Sequence, residues 1–344
     1  MPNALSVVPF LKLPESLPIL DVRSPGEFDQ GHIPGAISFP LFTNPERAEV
    51  GTIYKQIGKD EALIRGLEIT GPKMAGFVTS AMALAPEKKI RIHCWRGGMR
   101  SGSMAWLLEA AGFEVFLLRG GYKAFRREAL DHSPIPNQMR IIGGYTGSRK
   151  TEILNSLAQL DQPVLDLEAL AHHKGSAFGA LGQLPQPSQE QFENEIYFKL
   201  LQHPSDQILW LEDESKPIGK LRVPDLLHEK MRESQLLFVE KTREERLSHI
   251  VSSYGAESIE SLEFSMRKIA KRLGGQALTN ALECLQNGDV REAASISLFY
   301  YDKTYKHGLD SRDESLVQSV DCQGNSDEEA AQKLLINSGK DLVL

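Results

Sequence analysis

Of the chain's three cysteines, Cys94 alone stands in a setting that suits chemistry. Residues 93–101 read HCWRGGMRS and lie between an apolar run and a helical pattern, the junction where α/β sheets present ligand sites. Backbone N–H groups of a short loop entering a helix converge on an anion, and the same dipoles favour thiolate over thiol at the loop's start. Gly97 and Gly98 let the backbone curl round a ligand, while Arg100 offers a two-pronged fork to a tetrahedral oxyanion or to an adduct on the sulfur. A lone cysteine is usually just packed against a helix. Here glycines, arginines and a strand-to-helix junction coincide, which favours a nucleophile. Cys94 is the candidate catalytic residue, with Arg96 and Arg100 beside it and Trp95, Gly97, Gly98, Met99 and Ser101 completing the loop.

A second chemical signal lies at residues 144–151, GYTGSRKT, after a strand pattern and at the start of a helical one. That is the context of a phosphate-binding loop. Backbone amides around Gly144, Gly147 and Ser148 would cradle a diphosphate, Lys150 would neutralise it, and the Thr151 hydroxyl would reach a metal ion or a phosphate oxygen. Arg149 stands where glycine is common. It either restricts the backbone's approach or, if the backbone is accommodated, adds charge, and it puts nucleotide hydrolysis in question. Residues 208–214, ILWLEDE, have the apolar-then-acid form of a strand ending beside such a loop, so Glu212 and Asp213 are candidate acids for metal or water. His172 and His173 are adjacent, and neighbouring side chains on a helix point too far apart to chelate together. They read as polar or substrate contacts. Arg267, Lys268, Lys271 and Arg272 fall within six positions, mostly on one side of a predicted helix, a candidate contact for RNA phosphates.

The elements that must position these groups follow from apolar patterning. Short apolar runs at 19–22, 90–93 and 115–118 read as strands, with a helix at 101–111 opened by a Ser101 cap. Beyond the proline-rich run 132–137, strands are expected at 140–142, 163–167, 207–211 and 236–240, with a helix at 150–160 and helical pattern from 243 to 307. Strands alternating with helices give an α/β fold with parallel sheets. The expected division is one domain over 5–130, a linker over 131–138, a phosphate-loop domain with a helical C-terminal part over 139–310, and an acidic, partly mobile tail over 311–344.

Composition sets the outer bounds. At 344 residues, 41% hydrophobic and 25% charged, the chain is long enough for two cores and is neither disordered nor a disulfide scaffold. Cys94, Cys284 and Cys322 are far apart and odd in number, which suits thiols in a reducing, cytoplasmic setting. The longest mostly apolar stretch, 74–86, is short of the ~20 residues a membrane helix needs, and prolines interrupt the N-terminus where an export signal would lie, so no membrane partner is expected. Net charge is −7, yet residues 86–150 hold 12 basic residues against 5 acidic, a field that draws anionic substrates to both loops.

Residues 20–28, LDVRSPGEF, residues 31–36, GHIPGA, and residues 118–125, LRGGYKAF, make the first domain resemble the rhodanese family, whose cysteine carries a sulfane sulfur. Five residues separate Cys94 from Arg100, one more than in common sulfurtransferase loops, a spacing that also resembles the Cdc25-type phosphatases. The wider cradle suits a phosphorus oxyanion carrying a chalcogen. With residues 166–179, DLEALAHHKGSAFG, and 211–219, LEDESKPIG, the chain from about 5 to 310 resembles the bacterial tRNA 2-selenouridine synthase family.

That resemblance implies a transferase with a rhodanese-like domain followed by a P-loop domain. Wobble 2-thiouridine 34 in a tRNA anticodon loop would be S-alkylated by geranyl diphosphate, and selenophosphate would then deliver selenium as the geranylated sulfur leaves. By position Cys94 would be the selanyl carrier, and the loop from Gly144 to Thr151 would hold the prenyl diphosphate. No tightly bound cofactor is implied, Mg²⁺ is a candidate ion, and a selenophosphate-producing enzyme is a candidate partner. Candidate tRNA contacts are Arg126, Arg127, His172, Arg267 and Lys271, and Trp95 or Tyr145 offers a face on which a splayed uridine could stack. The competing expectations are a sulfurtransferase or phosphatase acting without RNA, and a nucleotide-sensing protein in which Cys94 is dispensable.

Overall fold

The computed structural model describes residues 3–339. The chain forms two compact units, the first built from residues up to Ser133 together with Glu193–Phe198, the second from Pro134–Phe192 and from Lys199 onward.

The first unit is organised by β1 (Asn3–Leu5), β2 (Ile19–Asp21), β3 (Ala36–Ser38), β4 (Lys89–His93) and β5 (Glu114–Leu118), in the order β1-β5-β4-β2-β3. All four pairings are parallel. Helices therefore cover a sheet buried on both faces, and β4 is buried from Ile90 to His93 although it carries Arg91 and His93. Arg91 is tolerated there because its guanidinium donates to the carbonyls of Leu17 and Phe10. Leu20, Ile90, Ile92, Met104, Leu108 and Val115 fill the core. In register, Asp21 lies beside His93, so the strands that end at the cysteine loop do so side by side. The helix after the loop is Met99–Ala110 with Gly98 before it, so Ser101 is not its cap but lies buried inside the first turn.

The second unit contains β6 (Met139–Gly143), β7 (Val164–Leu165), β8 (Leu209–Glu212), the antiparallel pair β9 (Pro217–Ile218) and β10 (Leu221–Arg222), β11 (Gln235–Glu240) and β12 (Val317–Asp321). Its main sheet runs β12-β11-β6-β8-β7 and is parallel throughout. The chain moves from β6 to one side for β8 and β7 and to the other for β11 and β12. The loop after β6 thus lies at the switch point, outside the carboxyl ends of the strands, where such sheets bind ligands. The stretch 163–167 is strand only at Val164–Leu165, because the Asp166 side chain accepts from the Ala169 N–H and caps a short helix, Leu167–Ala171.

The segment after residue 310, expected as a mobile tail, is a structural part of this unit as far as residue 339. Val317–Asp321 pairs along β11, and the helix Asp327–Ser338 buries Ala330, Ala331 and Leu334 in the same core as Ile153, Leu157 and Trp210. Residues 340–344 lie outside the described residues. The basic run 267–272 does not lie on one helix either. Ile269, buried in the helical core, separates Ile259–Lys268 from Ala270–Leu273. The helices Ile259–Lys268, Gly275–Gln286 and Val290–Asp310 form that core around Leu262, Met266, Leu282 and Leu285.

Candidate functional site

Each unit carries one site at the carboxyl end of its sheet. In the first, Cys94 directly follows β4 and is buried, with Sγ 3.1 Å from the Ser101 hydroxyl, while residues 95–99 are exposed. The loop is fixed from below: the Tyr122 and Lys123 N–H groups donate to the carbonyls of Cys94 and Trp95 at 2.8 and 2.9 Å. Gly121, at φ +61°, makes this close approach, and a Cβ there would stand 2.3 Å from the Cys94 carbonyl oxygen. Among the described residues the backbone N–H groups of Arg96, Gly97 and Gly98 have no protein acceptor, as an anion cradle requires.

Arg100 faces this loop's neighbour rather than open solvent. Its guanidinium forks onto Glu27, Nη1 at 2.7 Å and Nη2 at 3.2 Å. Burial opposes charge on Glu27, but the hydrogen bonds and charge of Arg100, the Ser24 N–H and Arg47 outweigh it and bring the carboxyl down to about 2. Deeper lies a buried Asp21–Arg23 ion pair, with Arg23 lying 3.7 Å over the Tyr122 ring. His93 is fully buried beside Asp21, both ring nitrogens lack hydrogen-bond partners, and burial pushes it down to about 4, so it is neutral near pH 7.

In the second unit the phosphate loop follows β6 and opens the helix Lys150–Gln159. Gly147, at φ +85°, brings the loop against the carbonyl of Arg246, where a Cβ would stand 2.6 Å from that oxygen. Arg149 holds a left-handed conformation that glycine favours, φ 63° and ψ 33°. Its guanidinium binds Asp327 at 2.6 and 2.5 Å and lies 3.0 Å from His249 Nδ1. The backbone is therefore accommodated, and the added charge is already partnered by the C-terminal helix. Lys150 Nζ folds back onto the Gly144 carbonyl at 3.1 Å. The Gly144 N–H donates to the Tyr305 hydroxyl, which donates in turn to Asp213 at 2.8 Å, and Arg312 holds the other oxygen of Asp213.

Asp213 is thus a structural anchor. Beyond the end of β8 the Glu214 N–H turns back onto the Glu212 carbonyl at 2.9 Å, and carboxylate oxygens of Glu212, Glu214 and Glu168 lie within 4.8 Å of one another. Burial is the main cause that pushes Glu168 up to about 7, with Asp166 adding repulsion; burial and the charge of Glu168 push Glu212 up to about 8, and burial with the charges of Glu168 and Glu212 raises Glu214 well above the carboxylate range, all against the pull of Lys150. The Thr151 hydroxyl is 3.4 Å from Glu168. These groups open on a cavity of about 770 Å³ whose walls are of two kinds. Lys150, Thr151, Glu168, Glu212 and Glu214 supply the polar part, and Leu262, Met266, Ile269, Leu285, Val290 and Leu298 from the helical part supply the apolar one.

Residues 137–331 match the family described as tRNA 2-selenouridine synthase AAA domain, and residues 9–128 match the rhodanese-like domain family. The chain belongs to the tRNA 2-selenouridine synthase family. Curated relatives bearing that name include those of Shewanella woodyi, 34% identical over 87% of this chain and 90% of the relative, Marinobacter nauticus, 35% identical over 85% and 88%, and Bdellovibrio bacteriovorus, 34% identical over 83% and 73%. The family's two-part architecture, a rhodanese-like α/β unit followed by a P-loop α/β unit with a helical C-terminal part, is the one described above.

Within this member, Cys94, Trp95, Arg96, Gly97, Gly98, Met99, Arg100 and Ser101 come together in the first site, and Gly144, Gly147, Ser148, Lys150 and Thr151 in the second. The surface candidates fare unevenly. Arg127 is exposed, but Arg126 is bonded to Glu193 and Asn194, both at 2.6 Å. His172 Nδ1 lies 2.9 Å from the Pro185 carbonyl, Arg267 pairs with Glu263, and Lys271 is exposed on the separate short helix. Glu168 and Glu214 were missed as site residues, although Glu214 belongs to the acidic run that ends residues 208–214.

Proposed function

We propose that the protein replaces sulfur by selenium at 2-thiouridine 34 of tRNA, using geranyl diphosphate and selenophosphate. The observation that carries this reading is the cavity of about 770 Å³, where a phosphate loop shares walls with apolar side chains from three helices. A nucleotide calls for polar partners to its base and ribose. A prenyl diphosphate calls for an anion cradle that opens on hydrocarbon, and the wall composition suits it. The curated relatives' name, tRNA 2-selenouridine synthase, supports tRNA and selenium as the substrate classes.

In this reading the base's sulfur attacks C1 of the geranyl group, the carbon–oxygen bond breaks, and pyrophosphate leaves with the electron pair, its charge met by Lys150 and the loop amides. Alkylation makes the sulfur a leaving group. At the other loop, Arg100 and the amides of residues 96–98 receive the oxyanion of selenophosphate. A sulfur–selenium bond forms as the Cys94 thiolate attacks selenium and the selenium–phosphorus bond breaks, phosphorus keeping the electron pair, taking up a proton and leaving as phosphite. The terminal selenium then attacks C2 of the base, geranyl thiol departs with the carbon–sulfur electron pair, a second thiol attacks the Cys94 sulfur to release the selenated base and leave a mixed disulfide, and a further thiol reduces that disulfide to free Cys94. An enzyme that makes selenophosphate is the upstream partner this chemistry calls for. Among the described residues no helix is long and apolar enough to cross a membrane.

Nucleoside mass spectrometry of 2-thiouridine tRNA tests the reading. Geranyl diphosphate alone is expected to give S-geranyl-2-thiouridine, and both donors 2-selenouridine. Cys94→Ala is expected to abolish selenation and keep geranylation, and Lys150→Ala to slow geranylation on the order of a hundredfold. An unchanged base with folded protein overturns the reading, and equal loss of both steps in Cys94→Ala overturns the division of roles.

A further inference from the structure

Glu168, Glu212 and Glu214 bring three carboxylates to one point from two separate stretches of chain, and the transfer steps above use none of them. Glu212 is only 4% exposed, and its Oε1 has no hydrogen-bond partner. A buried carboxylate oxygen left unpaired is costly unless a cation meets it. Opposite lies Gly175 at φ +63°, so close that a Cβ there would stand 2.7 Å from Glu168 Oε1 and 2.8 Å from Glu214 Oε2. The backbone thus packs against one side of the cluster, whose other side faces the cavity. The Thr151 hydroxyl borders it through Glu168, and Asp213, the remaining acid of the segment, is already held by Tyr305 and Arg312.

The charge count points the same way. Asp166 repels Glu168 and Glu212, and Lys150 is the cation that acts on all three carboxylates, so with the three acids ionised they hold two negative charges that Lys150 leaves unmatched. One divalent ion closes that gap. The donors are all hard oxygens, with neither imidazole nor thiolate, a set that selects Mg²⁺ or Mn²⁺ over zinc or copper.

We propose that Glu168, Glu212 and Glu214 form a resident divalent-cation site that fills before any diphosphate arrives. Where phosphates bring the metal, one carboxylate and a loop hydroxyl suffice to hold it; three carboxylates from the chain itself hold an ion without the substrate's help. Occupancy is independent of which diphosphate the loop takes. The catalytic use rests on the prenyl-diphosphate reading: the ion would add positive charge beside Lys150 where pyrophosphate departs.

The test is a titration of the full-length, ligand-free chain with Mn²⁺ alone, free Mn²⁺ being followed by electron paramagnetic resonance. One Mn²⁺ per chain is expected, displaced by excess Mg²⁺, and Glu212→Gln is expected to weaken binding at least about tenfold. Glu214→Gln serves as the second variant should Glu212→Gln fail to fold by circular dichroism. Wild-type protein that binds no stoichiometric Mn²⁺, binds it only once inorganic pyrophosphate is added, or binds it equally well in the folded variants overturns the proposal. A chain that binds Mn²⁺ as expected but transfers no geranyl group keeps the site and removes the prenyl reading.

Discussion

His93 sits one residue before Cys94, fully buried and, among the described residues, with no hydrogen-bond partner for either ring nitrogen. Burial lowers it from its ordinary 6.5 to about 4. Between those values the unfolded chain binds a proton that the folded chain refuses, so stability falls as pH drops through that window, by at most about 3 kcal/mol. Thermal midpoints at about pH 7 and about pH 4.5 should differ more for the native chain than for His93→Asn; equal differences would show that His93 does not titrate as its burial demands. Single residues were legible wherever the chemistry is contiguous in the chain. The cysteine and phosphate loops declare themselves by spacing, because a loop entering a helix is a local device. Glu168 is different, since it reaches Glu212 only through the parallel pairing of β7 with β8. Arg126 shows the converse: a basic residue in a basic window reads as an RNA contact, and only the fold reveals that Glu193 and Asn194 hold it.

Among the elements, the central strands β2, β4, β5, β6, β8 and β11 were visible as apolar runs, because a parallel sheet covered on both faces needs them. The edge strands β1 and β3 were not, being three residues each with none of them fully buried. β12 and the last helix were hidden because their inward residues are few and mostly small and stand among acids: Val320, Cys322, Ala330, Ala331 and Leu334 are buried within a segment that composition alone marks as solvated. Removing the partner of Arg149 should expose how much the phosphate loop leans on that helix. Asp327→Ala is expected to destabilise the second unit by about 1–2 kcal/mol, since a half-buried forked pair is lost while Arg149 stays in its left-handed conformation. Urea unfolding followed by far-ultraviolet circular dichroism measures it, and no change in midpoint would assign the loop's stability to the packing of Lys150–Gln159 alone.

For the whole molecule, among the described residues the cysteine loop is completed by residues of the first unit, and the cavity beside the phosphate loop by residues of the second. A mixture of Cys94→Ala and Lys150→Ala chains should therefore make 2-selenouridine that neither makes alone, the geranylated tRNA passing between them; failure of the mixture, with each variant keeping its own step, would mean the intermediate never leaves the chain that formed it. The net charge of −7 conceals this division, because the basic window spans both loops while the acids gather in the later part of the chain. The bond between Arg149 and Asp327 has a temporal side as well. Synthesis is vectorial, and domains generally fold as units while the chain emerges from the ribosome. The cysteine-bearing unit has all its parts once Phe198 has emerged, but the phosphate loop waits for a helix that begins at Asp327. A nascent chain stalled between those points would carry a finished cysteine loop on an unfinished partner, so translational arrest would separate the two halves of the enzyme that the gene keeps joined.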